Sequence, residues 1–277
     1  MPQETKALPE DAAGWAGFFS RFATILLVAN SEAADVAALR KAYPDRVLFV
    51  FFNKVYKVLS GPFDGDSLLV ARSSPAGANI VHRREVEAVC SHFPGPKFNG
   101  ILNIKAIPAE RLSEAAEFGD RPVGHLDLSE HFAGFYPPDY APTTGFALAL
   151  WLTEACPDAR VVLAGFSAER SDRWKLFHDH DWTFEQIVLR LMARSGRIET
   201  TGTTSPTPLD AIAARFPGVD REEIALVACE VLAARQEGTN RSVDRLFSVV
   251  KPLTGIDGFL RRLKPKTRKA KLAETRK

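Results

Sequence analysis

Three short apolar runs, each continuous rather than alternating, constrain most strongly what this chain can fold into. They are Ala23 to Ala29 (ATILLVA), Arg46 to Phe52 (RVLFVFF) and Arg160 to Ala164 (RVVLA). A strand with one wet face alternates apolar and polar side chains, whereas a strand covered on both faces does not. Runs of this kind therefore predict a parallel sheet with helices on both sides. Residues 32–42, between the first two runs, are Ala-rich and place Val36 and Leu39 on one helical face, which completes a βαβ unit. Leu68 to Ala71 and Gly100 to Ile107 are weaker strand candidates, and Phe146 to Ala155 reads as a helix after the Pro142-Thr-Thr-Gly turn. The fold class expected is α/β, a Rossmann-like, mostly parallel sheet with helices on both faces.

Length and composition fit that class. The 277 residues, 45% hydrophobic and 25% charged, accommodate one large α/β domain and a helical appendage. Residues 200–208 (TTGTTSPTP) predict a linker, so the nucleotide-binding domain is expected over 1–199. Leu209 to Phe216 and Arg221 to Arg235 read as two helices around Pro217-Gly218. The appendage is expected over 209–263 and a basic tail over 264–277. There is no apolar run long enough to span a bilayer, and Met1 to Asp11 has no signal-peptide core. Cys90, Cys156 and Cys229 are too few and too scattered for a disulfide framework, so a cytoplasmic location is expected. The net charge of +2 hides an asymmetry: residues 251–277 carry ten Lys/Arg against Asp257 and Glu274. The body is therefore mildly acidic and the tail strongly basic.

Polar residues stand just beyond the ends of three strands: Asn30-Ser31, Asn53, and the stretch after Phe166. In an open α/β sheet, ligands bind outside the carboxyl ends of the strands. Each of these residues also suits a cap on the following element, but together they point to a nucleotide site. Further along, His178-Asp-His-Asp-Trp-Thr-Phe-Glu185 sets histidines ahead of a helix and a carboxylate in its first turn. Phe184, Ile187, Val188 and Leu191 recur at helical spacing, predicting the buried face, and Ser195-Gly196 predicts the stop. A histidine projecting from such an anchored helix suits a general base.

In this order, Val-Ala-Asn-Ser (28–31), Leu-Phe-Val-Phe-Phe-Asn (48–53), Pro-Thr-Thr-Gly-Phe (142–146) and His180-x-x-x-x-Glu185 resemble the large, small and very small motifs of the sialyltransferases. The resemblance covers about residues 22–195 and implies a GT-A-variant fold. It also implies inverting transfer of a sialic acid or Kdo residue from a CMP-sugar donor to a glycan or glycolipid acceptor such as lipopolysaccharide or capsule. His180 would then be the base and Glu185 would orient the motif. Asn30, Ser31 and Asn53 would contact the cytidine and phosphate, and Thr143, Thr144 and Gly145 would offer donors at a helix start. Ala29 stands where the family more often has Gly. Residues 167–177 carry none of the phosphate-binding tyrosines of bacterial members, so Arg170, Arg173 or Lys175 take that part, with His178 beside them. CMP departs with its charge on the phosphate, so neither cofactor nor metal is expected.

Competing readings have their own residues. His178-x-His180-x-Asp is a possible metal-site opening, but no further histidine follows it. Gly165-Phe-Ser167 lacks the second glycine of a nucleophile elbow, and there is no Gly-rich phosphate loop. The loop Tyr136 to Tyr140 (YPPDY) is a candidate acceptor-facing segment. Residues 241–277, an interrupted amphipathic stretch followed by clustered Lys/Arg, suit an anionic membrane surface, so peripheral attachment to the inner face of the membrane is expected. A solubilising tail is the plainer alternative. The helices around Pro217-Gly218 suggest a helix-turn-helix only weakly, because the second presents few basic residues, so nucleic acid is not the favoured partner. A non-catalytic membrane or nucleic-acid-binding protein on a degenerate nucleotide fold is the reading from a different class.

Overall fold

The structure, a computed structural model, describes residues 7–72, 79–167, 179–201 and 208–237, together with 240, 241 and 245. The chain divides into two units, Met1–Gly202 and Thr203–Lys277.

Among the described residues, seven strands organise the first unit: β1 (Thr24–Val28), β2 (Val47–Phe52), β3 (Ser67–Arg72), β4 (Phe98–Lys105), β5 (Val123–Asp127), β6 (Arg160–Ala164) and β7 (Glu199–Thr201). They form one sheet in the order β5-β4-β3-β2-β1-β6-β7, and every pairing is parallel. Every residue of β1, β2 and β3 is buried, as continuous apolar runs require of interior parallel strands. Successive residues still alternate between two cores. Ile25, Leu27, Leu48, Val50, Phe52, Leu68 and Val70 face one, whereas Leu26, Val28, Val47, Phe49, Phe51 and Leu69 face the other.

The helices divide the same way. The first core holds α1 (Ala12–Phe19), α5 (Thr144–Ala155) and α6 (Trp182–Arg194); the second holds α2 (Val36–Ala42) and α3 (Val86–Cys90). The short α4 (Ser129–Phe132) adds Phe132 to the first core. From β1 to β5 the chain steps across the sheet in one direction, and from β5 it returns past β1 to build β6 and β7. A constant crossover hand then puts α2 and α3 on one face and α5 and α6 on the other. The result is a doubly wound, Rossmann-like α/β sheet whose order reverses between β1 and β6.

Some elements differ from expectation. Helix α2 starts at Val36 rather than at residue 32, because Asp35 caps it by accepting from the Ala38 N–H at 3.0 Å. β5 carries Gly124 and His125, and β7 is the polar triplet Glu199–Thr201, so neither has the apolar signature of an interior strand. β7 takes in the first two residues of the expected linker.

On α6 the predicted face is rotated. Ile187 and Leu191 are 54% and 59% exposed, while Glu185, Leu189 and Met192 are buried and Phe184 and Val188 pack partly against the core. The rotation follows from a carboxylate that the apolar pattern could not weigh: Glu185 is drawn inward by three hydrogen bonds. The expected stop holds, with Ser195 at the C-cap and Gly196 at φ 71°.

The second unit contributes α7 (Pro208–Arg215) and a helix over 221–237, here α8, joined through Pro217-Gly218. Leu226, Val227, Val231 and Leu232 on α8 are exposed. Among the described residues, no helix is long and apolar enough to cross a membrane. The basic tail lies outside the described residues.

Candidate active site at the carboxyl edge of the sheet

Because all seven strands run the same way, the loops after them open on a single edge. At the reversal point, the Asn30 side chain donates from Nδ2 to the Phe52 carbonyl at 2.8 Å, linking the ends of β1 and β2. Among the described residues its buried Oδ1 has no hydrogen-bond partner, an acceptor at the strand ends where such sheets bind ligands. Ser31 turns the chain locally, its hydroxyl accepting from the Ala33 N–H at 3.2 Å. Gly165, at the end of β6, has φ 78°, and a Cβ there would lie 3.1 Å from the Cβ atoms of both Ser31 and Ala34. Only glycine meets the backbone angle and the close approach together.

One strand further on, Asn53 adopts φ 38°, a left-handed conformation that asparagine tolerates better than most residues. Its N–H donates to the Val70 carbonyl at 2.9 Å and its Oδ1 accepts from the Arg72 N–H at 3.3 Å. Asn53 thus holds the end of β3 and is itself buried. Arg72 is buried as well. Its guanidinium grips Glu110 with both arms, at 2.6 and 3.0 Å, and its third nitrogen donates to the Pro142 carbonyl. Glu110 in turn accepts from the N–H groups of Ala106 and Ile107 at 2.9 and 3.3 Å. A buried charge pair is tolerable only when the remaining donors and acceptors are satisfied, and here they largely are.

The segment from Pro142 leads into α5, whose N-cap is Thr143. Glu185, in the first turn of α6, accepts from the Thr143 N–H at 2.6 Å, the Thr143 hydroxyl at 2.7 Å and the Tyr136 hydroxyl at 2.9 Å. Tyr136 also accepts from the Asp181 N–H at 3.1 Å, so one phenol joins the loop before α5 to the start of α6. Burial pushes the Glu185 carboxyl up to about 7, even though the Thr143 and Tyr136 donors and nearby Arg72 favour its ionised form. Burial and the neighbouring Glu185 carboxylate push the Tyr136 phenol up too.

His180 precedes this helix. Its Nδ1 lies 2.6 Å from the Ala141 carbonyl, an acceptor only, so Nδ1 carries the proton and Nε2 keeps its lone pair. Burial holds its pKa below the usual histidine value; the Ala141 bond opposes that and the Arg72 charge adds to it. The Ala141 N–H donates to the Asp179 carbonyl at 2.8 Å, so the two segments are pinned from both sides. The Trp182 ring meets the imidazole edge-on, with centroids 5.5 Å apart.

The structure brings Asn53, Thr143, His180 and Glu185 into one linked network, with Asn30 and Ser31 at the neighbouring strand end. Two expected roles change. The Thr143 hydroxyl donates to Glu185 and accepts from the Phe146 N–H at 3.2 Å, so it serves the helix cap rather than offering itself to a ligand. Tyr136, in the segment expected to face an acceptor, is buried against Glu185, while Tyr140 is exposed. Thr144 and Gly145 form the first turn of α5, and a Cβ on Gly145 would lie 2.6 Å from the Phe166 ring. Arg170, Arg173, Lys175 and His178 lie outside the described residues.

Arg72 and Glu110 escaped the sequence reading. The available signal was a lone arginine closing an otherwise apolar strand; nothing local marks its partner 38 residues on. Among the described residues, no group of three or more His, Cys, Asp or Glu is placed to hold a metal ion. No protein-family profile matches the sequence, and no curated protein matches it.

Proposed function

We propose that this chain is an inverting glycosyltransferase that moves a sialic acid or Kdo residue from its CMP donor to a hydroxyl of a glycan or glycolipid, with His180 as general base. The observation that carries the reading is the state of His180. It follows β6 in the chain, is anchored at Nδ1 to the Ala141 carbonyl so that Nε2 keeps its lone pair, and has a pKa held below the usual histidine value by burial, which favours the neutral base at pH 7. In the reaction, Nε2 takes the proton of the acceptor hydroxyl as its oxygen attacks the anomeric carbon. The bond from that carbon to the phosphate oxygen breaks, and CMP leaves with the electron pair. Asn30, whose buried Oδ1 has no hydrogen-bond partner among the described residues, supports a nucleoside site at the strand reversal. Glu185 contributes by position: it ties Thr143 and Tyr136 to α6, and so holds the loop that carries the Ala141 carbonyl.

Attachment to an anionic membrane surface through residues 241–277 belongs to the same proposal and rests on the charge of that tail. The deciding experiment measures CMP release from CMP-sialic acid and CMP-Kdo, with and without a crude glycolipid acceptor. Release from one donor, lost in His180→Ala, supports the transferase and names the sugar. If neither donor is consumed and CMP does not bind, the non-catalytic reading replaces it.

A further inference from the structure

Two neighbouring carbonyls divide two functional groups between them. Ala141 holds the Nδ1 proton of His180, and Pro142, one peptide later, accepts from Arg72. We propose that the buried Arg72–Glu110 pair is a positioning unit for His180: by fixing the Ala141–Pro142 segment, it selects the imidazole tautomer that leaves Nε2 free to accept a proton. The inference rests on the transferase reading for its catalytic meaning, but the geometry stands without it.

Arg72 is well suited to this work. Its side chain is 10% exposed and that of Glu110 is 7%, so the pair is shielded from competing water. The planar guanidinium satisfies both Glu110 oxygens and still has a nitrogen for Pro142, a three-point reach that an ammonium cannot reproduce. Arg72 is itself held by the Asn53 Oδ1 on its backbone N–H, and Glu110 by the Ala106 and Ile107 N–H groups. The anchor thus runs from the ends of β2, β3 and β4 to the loop before α5, and from there to the histidine ahead of α6. The charged groups acting on the imidazole are Arg72 from β3, Glu110 from the loop after β4, and Asp179 from its own loop. Arg72 disfavours the imidazolium and the two carboxylates favour it.

The test is nitrogen-15 NMR of the imidazole in the full chain, with the His180 signal assigned by its loss in His180→Gln. The wild type is expected to show a single Nδ1–H tautomer. Arg72→Lys, which keeps the charge but loses the fork, is expected to show mixed tautomers while its titration midpoint stays low. Arg72→Gln is expected to show mixed tautomers and a midpoint moved up. Should Arg72→Gln fail to fold because Glu110 is left unpaired, the double variant Arg72→Met/Glu110→Leu leaves no orphan charge and carries the same tautomer readout. In the transferase assay, Arg72→Lys is expected to lower kcat on the order of 100-fold with little change in donor KM, as displacement of a reacting group does. A folded Arg72→Lys or double variant that keeps the single Nδ1–H tautomer overturns the proposal. If the wild type releases no CMP from any donor, the transferase reading fails, while the tautomer measurement still decides whether Arg72 positions His180.

Discussion

Glu185 accepts both the backbone N–H and the hydroxyl of Thr143, at 2.6 and 2.7 Å, across 42 residues of chain. Through these two hydrogen bonds the first turn of α6 holds the N-cap of α5. The loop between Tyr136 and Thr143, with its two functional carbonyls, has little freedom to shift. The charge state of one carboxyl therefore bears on the geometry of the whole edge.

That charge state gives a stability prediction. A carboxyl raised from 4.5 to about 7 binds more protons in the folded than in the unfolded chain between those pH values. Stability therefore declines as pH rises through that window, by about 3 kcal/mol at most for this group. Denaturant melts of wild type and Glu185→Gln across pH 4.5–8 are expected to show the wild type losing stability relative to the variant as pH rises. A difference that stays flat with pH would show that Glu185 is already ionised throughout.

His180 gives an activity prediction of opposite sense. Its neutral form is the working base, so CMP release falls as pH drops through its folded pKa, which burial and Arg72 hold below 6.5. The acidic limb of kcat/KM is therefore expected below that value, and His180→Ala is expected to cost about 100- to 10,000-fold. A limb above pH 7 would assign the titration to another group, with Glu185 the first to test.

Gly165 tests the strand reversal. Gly165→Ala puts a side chain at φ 78° and 3.1 Å from the Cβ atoms of Ser31 and Ala34. The backbone angle alone costs about 1–2 kcal/mol. A lowered Tm is expected, together with weaker CMP binding by calorimetry as the turn at Asn30-Ser31 is displaced. Unchanged affinity in a destabilised variant would place the nucleotide elsewhere on the edge.

The tail is tested by removal. The full chain is expected to bind vesicles containing phosphatidylglycerol and not neutral ones, less tightly as salt is raised. A chain ending at residue 240 is expected to lose vesicle binding and keep CMP release from a soluble acceptor. Retained vesicle binding would move the membrane contact to the body of the protein.

Much of the architecture is written in local pattern. The runs at 24–28, 47–52 and 160–164 read as interior parallel strands, because continuous apolar character over so short a length needs cover on both faces. Asn30, Ser31 and Asn53 stand at strand ends for the same local reason, and His180 and Glu185 keep their spacing because a capped helix sets it. What the sequence could not express is partnership at a distance. The bonds of Arg72 to Glu110 and Pro142 span 38 and 70 residues, and that of Tyr136 to Glu185 spans 49. A charged or polar residue carries no periodic signature of its future partner. The inward turn of Glu185, the exposure of Ile187 and Leu191 and the tautomer of His180 were therefore decided only when the parallel sheet gathered its loop ends on one edge.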